Sequence, residues 1–495
     1  MELKPQYETY RYTGEIARLQ SQSIVECRLS GSEIGSILAV QTSVSPTECA
    51  CADGEVRYGG KLTLCVVYED GNRKVCRAER GAEFFHKAAN ADVSPACFAK
   101  VALAAENVSY RREGSGLYIS VVVGAKTTVY GTRQMEYLVG GEGMFTKKET
   151  LSLRRSVCVS GETEAEDEFE TDYVGDILLH SENVVVTEVK VGAGQIEIEG
   201  ELNLHVCVLK EEDNIVSYER LIPLRLQIPC EDAFGNVNAS ARISVKSANL
   251  VAGVDEEKRK CKIVFSYALL ADCFLYATDE LNVCADAFSP QAALELEKKK
   301  GAGRYLTSLV KCTERVNGVA ALSPTLQEEC TLAAAVLPRA EITCRKTDNG
   351  FDAEGVLNAE LLFKTADGGY RSSTLSLPFA FPVSVDAAVV EADCIVCGLN
   401  VRRARGGETE AEATLKICLR GYDETEWEYV CAAKAGEKRE ESDAAISVFA
   451  LRAGEGLWEV AKRLARDPDE LQRSNPELEF PVKDGERVFV YRQIK

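Results

Sequence analysis

Residues 58–71, YGGKLTLCVVYEDG, place an apolar side chain at every second position and then reach Asp70-Gly71. This alternation is the pattern of a β-strand that buries one face and leaves the other in water. Asp-Gly favours a tight hairpin turn. The stretch therefore predicts a strand that ends in a hairpin and buries the side chains Leu62, Leu64, Val66 and Tyr68.

The same pattern recurs twice, in IEGELNLHVCVLKEEDN (198–214) and AEGVLNAELLFKTADG (353–368). All three copies place a glycine two residues before the alternation: Gly60, Gly200 and Gly355. The later copies also end on turn signals, Asp213-Asn214 and Asp367-Gly368. The spacing between copies is too long for a solenoid, whose units run to roughly 20–50 residues. The chain therefore contains three long repeats.

Further strands are predicted on both sides of each copy, as in SENVVVTEVKVGAGQIEIEG (181–200), where two strands flank a Gly-Ala-Gly turn. Each unit of about 130–150 residues is predicted to hold about seven to nine short strands, which is typical of a β-sandwich. We therefore expect a mainly β protein with three stacked sandwich-like repeat domains, at residues 1–143, 144–288 and 289–434.

Residues 289–300, SPQAALELEKKK, allow two interpretations. Ser-Pro followed by Ala, Leu, Glu and Lys is typical of a capped helix. However, residues 293–297 alternate, and the segment takes the place that KKETLSLRRSV (147–157) takes after the first repeat. An extended segment is the favoured interpretation.

A charged linker (435–446) leads to a small C-terminal module (447–495) with the predicted order strand, helix, helix, strand. Leu457, Val460, Ala461 and Leu464 form one apolar stripe of the first helix. Asp467 is placed to cap the second helix, with Pro468 at its first position and Glu470 three residues past the cap. Asn475-Pro476 is predicted to end that helix.

This module resembles a LysM domain, a small βααβ fold. The residues that carry the likeness are Gly454, Leu457, Trp458, Val460, Ala461, Asn475, Pro476, Gly485 and Val488. By this resemblance a ligand groove would be formed by Gly454, Glu455, Gly456 and Leu457 on one side and by Asn475, Pro476, Glu477 and Leu478 on the other.

Two positions in this groove depart from the family pattern. Glu455 replaces the usual Asp, and Gly456 replaces a hydroxyl residue that could bond an N-acetyl sugar. A protein ligand is therefore favoured, with peptidoglycan or N-acetylglucosamine glycan as the alternative. Trp458 is expected to pack against the module's own strands and Asn475 to cap the second helix; ligand contacts are the less favoured role for both.

The repeats together with this tail resemble clostridial spore-coat morphogenetic proteins that carry tandem uncharacterised β-domains and interact with SpoIVA. The likeness is carried by SENVVVTEVKVGAGQIEIEGELNLHVCVL (181–209) and DAFSPQAALELEKK (286–299). It implies a non-enzymatic adaptor that tethers the coat basement layer to the forespore. The implied partner is a SpoIVA-type coat ATPase, with peptidoglycan or other coat proteins as further possibilities, and the implied location is the mother-cell cytoplasm at the forespore surface.

Charge and hydropathy narrow the functional classes. The formal net charge is −20, and no basic cluster offsets it locally, so nucleic acid is not an expected partner. The first residues lack the apolar stretch of a signal peptide, and no run of about 18 apolar residues predicts a membrane span, so a cytoplasmic protein is expected.

No cofactor, metal site or catalytic residue is predicted. Cys394 and Cys397 have C-x-x-C spacing but lie in an alternating strand, where positions i and i+3 point to opposite faces. His86, His180 and His205 lack triad partners in sequence, and His205 is predicted on the wet face of its strand. The 19 cysteines are expected to be mostly small buried hydrophobes, with cross-linking in a mature assembly as the less favoured interpretation. The glycine clusters at 59–61, 140–143 and 301–303 are predicted to be turns.

Overall fold

The computed structural model describes residues 3–30, 34–114, 116–171, 175–210, 214–234, 237–255, 260–321, 326, 330–348, 350–404, 408–439 and 444–491. Strands make up 82% of the structure and helices 4%, which confirms the predicted mainly β class.

The first repeat, here called unit 1, contains six strands in two antiparallel three-stranded sheets. One sheet has the order β1-β6-β5 and the other the order β2-β3-β4. The strands are β1 (Lys4–Leu29), β2 (Ile34–Ala52), β3 (Glu55–Asp70), β4 (Val75–Ala89), β5 (Phe98–Glu113) and β6 (Gly116–Glu142).

Units 2 and 3 repeat this topology strand for strand, with sheets β7-β12-β11 and β8-β9-β10, then β13-β18-β17 and β14-β15-β16. The strands of unit 2 are β7 (Phe145–Thr171), β8 (Asp176–Gly192), β9 (Gln195–Lys210), β10 (Asn214–Pro229), β11 (Asn238–Asp255) and β12 (Lys260–Phe288). Those of unit 3 are β13 (Ala292–Ala321), β14 (Thr331–Thr347), β15 (Gly350–Lys364), β16 (Tyr370–Val383), β17 (Val389–Arg403) and β18 (Glu408–Lys438).

The prediction of seven to nine short strands per repeat is wrong, because within the described residues each unit has six strands, of which the first and last are long. Strand β1 keeps pairing with β6 along its whole length by means of register shifts at Gln6/Tyr7 and Glu15/Ala17. A bulge inserts an extra residue and bends the strand without ending it. Interruptions of the alternating pattern, which suggested breaks between short strands, are therefore bends within one long strand.

Two of the three predicted glycine turns are also wrong. Residues 59–61 lie inside β3 and residues 301–303 lie inside β13. Glycine is needed at Gly301 for space, since an added Cβ would lie 2.3 Å from Nε1 of the buried Trp427. Residues 140–143 do end β6, and both Gly140 and Gly143 have positive φ.

The other turn predictions agree with the structure. Ala193 and Gly194 have positive φ between β8 and β9, and Gly368 has a φ of 86° between β15 and β16. The backbone N–H of Asp70 donates to Lys74 O at 3.0 Å across the β3–β4 turn, whereas Asp213 lies outside the described residues. The favoured interpretation of 289–300 is confirmed, because β13 begins at Ala292.

Within each unit the two sheets pack face to face. In unit 1 the alternating residues 62, 64, 66 and 68 of β3 are buried against Ile119 and Val121 of β6. Corresponding cores form around Leu202 and Leu204 in unit 2 and around Leu357 and Leu361 in unit 3. The alternation read from the sequence thus sets which face of each central strand points inward.

The opposite face of the β2-β3-β4 type of sheet is buried too, because the three units meet there. This shared core contains Leu38, Ala39, Cys65, Val67 and Val75 from unit 1, Leu178, Leu179, Cys207, Leu209 and Ile215 from unit 2, and Ala334, Val336, Leu362 and Tyr370 from unit 3. The units are therefore grouped around a common core and are not stacked in a row.

A β-bulge occurs at the same place in each unit, on the strand that precedes the central strand of the shared-core sheet. The extra residue is Leu38 in unit 1, Leu178 in unit 2 and Ala333 in unit 3. Its two neighbours pair with residues 68 and 67, 208 and 207, and 363 and 362 respectively. Leu38 and Leu178 are buried in the shared core, and Ala333 packs against it. The three bulges thus add one apolar residue per unit to the contact.

A carboxylate also joins the units. Glu391 of β17 accepts hydrogen bonds from Arg18 at 3.4 Å, Arg242 at 2.8 Å and Arg304 at 3.0 Å. These arginines belong to units 1, 2 and 3 in turn. The guanidinium of Arg304 also lies 3.6 Å from the ring centroid of Tyr422, a cation–π contact.

Candidate functional site

The C-terminal module contains β19 (Ile446–Ala450), α1 (Leu457–Leu464), α2 (Pro468–Ser474) and β20 (Arg487–Tyr491), and the two strands pair antiparallel. Strand β18 continues to Lys438, into the segment predicted as linker. The predicted cap of α2 is confirmed, because Oδ1 of Asp467 accepts from the N–H of Asp469 at 2.9 Å. The apolar stripe of α1 faces the module's core, where Val460 and Ala461 are buried.

The module is attached to unit 2 at the start of β7, its first strand, and at the end of β12, its last strand. Its core includes Phe288 of β12, with Phe145 of β7 packed against it. The Trp458 indole lies edge-on to Phe288, with ring centroids 5.1 Å apart, and its Nε1 donates to Asp286 Oδ2 at 2.8 Å. Trp458 packs against the module's core, as predicted, but the prediction left out its contacts with unit 2.

Asp286 is the polar centre of this attachment. Lys462 of α1 donates to both of its carboxylate oxygens, at 2.5 and 2.7 Å. Burial raises the pKa of the Asp286 carboxyl, but the hydrogen bonds from Lys462 and Trp458 outweigh it, and the pKa lies below its ordinary value. Asp286 is thus held as a carboxylate that bonds two side chains of one helix.

The first side of the predicted groove is occupied by contacts within the module. Gly454 donates its N–H to Val482 O at 2.9 Å, and Val482 donates back to Glu455 O at 3.0 Å. The Glu455 carboxylate accepts from the Arg452 N–H at 2.9 Å and from Arg463 at 2.8 Å, and these bonds lower its pKa. Gly456 is the N-cap of α1, and Leu457 packs against the module's core.

The second side is built around Asn475, which is buried. Its Nδ2 donates to Leu471 O at 2.9 Å and to Phe489 O at 2.8 Å, and its Oδ1 accepts from the Phe489 N–H at 2.8 Å. This side chain ties the end of α2 to β20, so the predicted capping role is confirmed. Leu478 donates its N–H to Asn475 O at 3.1 Å, whereas Pro476 and Glu477 are exposed.

Sequence reasoning missed an apolar surface on the two-stranded ribbon of β19 and β20. Two cross-strand pairs lie on its outer face. Ile446 (56% exposed) pairs with Tyr491 (48%), and Val448 (50%) pairs with Phe489 (43%). The inner face carries Val488 and Val490, which are buried. The signal was the uninterrupted run Val488–Tyr491, because a strand with apolar residues on both faces needs two partners.

The prediction that His205 lies on a wet face is wrong. Its side chain is 11% exposed and its Nε2 lies 3.6 Å from Glu219 Oε1. The neighbouring Asn203 Nδ2 lies 3.0 Å from His205 Nε2 and 2.5 Å from Val396 O of unit 3. Burial lowers the pKa of His205, which the Glu219 charge only partly offsets. This face of β9 is covered by unit 3, and the sequence of β9 alone gives no sign of that contact.

Nine of the 19 cysteines are buried and ten are half-buried, so the prediction that most are buried holds only in part; none is in a disulfide. Burial raises the pKa of several thiols, to about 12 for Cys207 and Cys394. Cys394 packs with the core of unit 3 and Cys397 with a separate cluster around Val185 of unit 2, which agrees with opposite faces. Among the described residues no group of three or more His, Cys, Asp or Glu is arranged to hold a metal ion.

Comparisons with known protein families, curated proteins and solved structures gave no match to this chain. No helix within the described ranges combines the length and apolar character needed to cross a membrane.

Proposed function

We propose that this chain is a non-enzymatic assembly adaptor in spore-coat morphogenesis, acting at the forespore surface in the mother-cell cytoplasm. In this proposal residues 1–143, 144–288 and 289–434 are three tandem β-sandwich domains and residues 447–495 are a LysM-type module. The module binds a protein, and the SpoIVA-type coat ATPase is the proposed partner.

The observation that carries the proposal is the apolar outer face of the β19–β20 ribbon. Ile446, Val448, Phe489 and Tyr491 form two directly opposed pairs that stay in water. Aromatic and aliphatic side chains clustered in this way favour a protein interface. The module is attached to unit 2 through Trp458 and Asp286, so the exposed ribbon is held on a fixed base.

Two features of the predicted groove support a protein partner over a glycan. The polar groups of Asn475 and Glu455 are satisfied within the module. Leu457 packs against the module's core, and Trp458 contacts Phe288 and donates to Asp286, so both side chains are engaged within the protein. The contacts among the three units support the scaffold part of the proposal, since they join the repeats into one frame.

The test measures capture of the SpoIVA-type ATPase by the immobilised full-length chain. Deleting residues 445–495 would uncover Phe145 and Phe288, so Val448→Glu and Phe489→Glu are the sharper variants. A buried charge at an apolar contact should weaken capture at least about tenfold, or 1.4 kcal/mol. Phe85→Glu is the matched control, because Phe85 is an exposed aromatic (70%) on β4 of unit 1.

Undiminished capture by both ribbon variants would contradict the proposal. Sedimentation of the same proteins with purified peptidoglycan tests the alternative. Retention of wild-type protein on peptidoglycan, with no capture of the ATPase, would favour glycan binding.

A further inference from the structure

A cavity of about 170 Å³ lies where the three units meet. One arginine from each unit lines it: Arg133 of β6, Arg154 of β7 and Arg304 of β13. The buried Ser156 and the aromatic residues Tyr12 and Tyr276 line it as well. The volume is below the roughly 300–1,000 Å³ typical of sites for drug-sized ligands, so any occupant is small.

Carboxylates neutralise these arginine charges only in part, although the Arg154 guanidinium also lies 4.4 Å from the centroid of the Tyr305 ring. Across the ranges that the structure describes, neither Arg133 nor Arg154 has a carboxylate within ion-pair distance. Arg133 donates to the backbone oxygen of Glu15 at 2.8 Å, and Arg154 donates to the Thr278 hydroxyl. Arg304, whose side chain is 9% exposed, shares the single carboxylate of Glu391 with two other arginines.

The acidic residues at the cavity do not remove this excess. The Glu15 carboxylate is held by both Nε and Nη2 of Arg18, at 2.6 and 2.7 Å. Glu424 is exposed to solvent. Arginine side chains that line one cavity repel one another, and this repulsion is costly where the charges are shielded from water and not paired. This local excess stands out in a chain whose net charge is −20.

One donor is also left over. The Nε of Arg154 is buried and has no hydrogen-bond partner. Burying such a donor without a partner is destabilising, and more so for a charged group. An added Cβ at Gly303 would lie only 3.0 Å from the Arg154 Cβ, so glycine lets β13 and β7 approach closely at this point.

We propose that this cavity binds a small oxyanion, either inorganic phosphate or the phosphoryl group of a phosphate monoester. Guanidinium forks match phosphate oxygens bidentately, and a dianion would neutralise the charge excess. Because the lining comes from all three units, the bound anion stabilises their arrangement. This site is independent of the ribbon and of the proposed partner.

The experiment titrates sodium phosphate into the full-length chain by calorimetry, and follows thermal unfolding in phosphate and in chloride at equal ionic strength. Phosphate should bind and raise Tm by mass action. Arg133→Gln and Arg154→Gln should each weaken phosphate binding at least about tenfold. Arg345→Gln is the control, since the Arg345 side chain is 70% exposed on β14. Glycerol phosphate tests whether a monoester binds as well as the free ion does.

In phosphate-free buffer the Arg154→Gln variant should match or exceed the wild-type Tm, because it relieves repulsion. A purely structural arginine predicts the opposite, a lower Tm in both buffers with unchanged phosphate affinity. Equal Tm values for wild type in phosphate and chloride would also overturn the proposal. If Arg154→Gln does not fold, the half-buried Arg133 provides the same comparison.

Discussion

The indole Nε1 of Trp458 donates a 2.8 Å hydrogen bond to Oδ2 of Asp286, although 172 residues separate them. Lys462, one helical turn further along α1, bonds the same carboxylate. A single acidic side chain of unit 2 thus fixes the orientation of the helix that carries both donors. The position of the C-terminal module depends on this contact and on the packing of Phe145 and Phe288.

Replacing Asp286 with Ala should loosen the module from unit 2. The change leaves the Lys462 charge without its partner and removes the hydrogen bonds that Trp458 and Lys462 donate to the carboxylate, each worth about 1.5–3 kcal/mol. Hydrogen exchange should speed up at least about tenfold at the ends of β7 and β12.

Glu459→Gln is the matched control for that variant. Glu459 also lies on α1, and it forms a 3.6 Å ion pair with Lys147 of unit 2 in which both side chains are 52% exposed. Such a pair contributes about 0–1 kcal/mol, so exchange should change by less than about fivefold. Similar exchange in the two variants would show that Asp286 does not hold the module.

Glu391 should matter more for the packing of the units than for any one of them. Its replacement by Gln removes the charge shared by Arg18, Arg242 and Arg304 while keeping the side-chain shape. We expect unfolding free energy to fall by about 1.5–3 kcal/mol, with the lower part of the range favoured because two of these arginines are over 40% exposed. Urea unfolding of wild type and Glu391→Gln measures this difference in unfolding free energy.

Glu354→Gln supplies the comparison for Glu391. Glu354 has one long contact, 3.9 Å to Arg345, with side chains 45 and 70% exposed. Its loss should change stability by less than about 0.5 kcal/mol. Equal effects of the two substitutions would mean that the three-arginine contact contributes nothing specific.

Sequence reasoning found the central strand of each repeat because alternation reports burial of one face directly. Leu62 and Leu64 point into the core of unit 1 as predicted. The continuous run Cys65–Tyr68 carried a further signal, since apolar residues on both faces of a strand indicate two covered faces. Read in that way, the same run in all three repeats would have predicted the shared core.

Other features had no local signal. Asp286 and Trp458 meet only through tertiary packing, and nothing near either residue identifies the other. The cavity arginines come from three strands distant in sequence, and each by itself resembles an ordinary surface residue. Strand counts were wrong because a bulge and a turn have similar residues, and only pairing across the sheet distinguishes them.

The glycines aligned across the repeats should resist substitution. At Gly355 an added Cβ would lie 2.0 Å from the backbone oxygen of Glu341 on the paired strand β14. Backbone cannot move aside as a flexible side chain can, so Gly355→Ala should lower the unfolding free energy by about 1–3 kcal/mol. Denaturant unfolding gives the value.

Gly81→Ala is the control for this prediction. Gly81 also lies inside a strand, β4, but an added Cβ there meets nothing closer than 3.6 Å. Alanine should then be neutral or stabilise by about 0.5–1 kcal/mol, since it lowers the entropy of the unfolded chain. A Gly355→Ala protein as stable as wild type would refute the steric explanation of the repeated glycine.

His205 should make stability fall as the pH drops below about 6.5. Burial lowers its pKa in the folded protein below the value of about 6.5 expected for the unfolded chain. Below pH 6.5 the unfolded state therefore binds more protons, and stability falls as pH drops towards the folded pKa. For one proton the slope is at most about 1.4 kcal/mol per pH unit.

His205→Gln should remove this part of the slope, whereas His86→Gln should retain it. Urea unfolding at several pH values measures the slope for both variants. Identical slopes for wild type and His205→Gln would mean that the imidazole between units 2 and 3 is not held neutral.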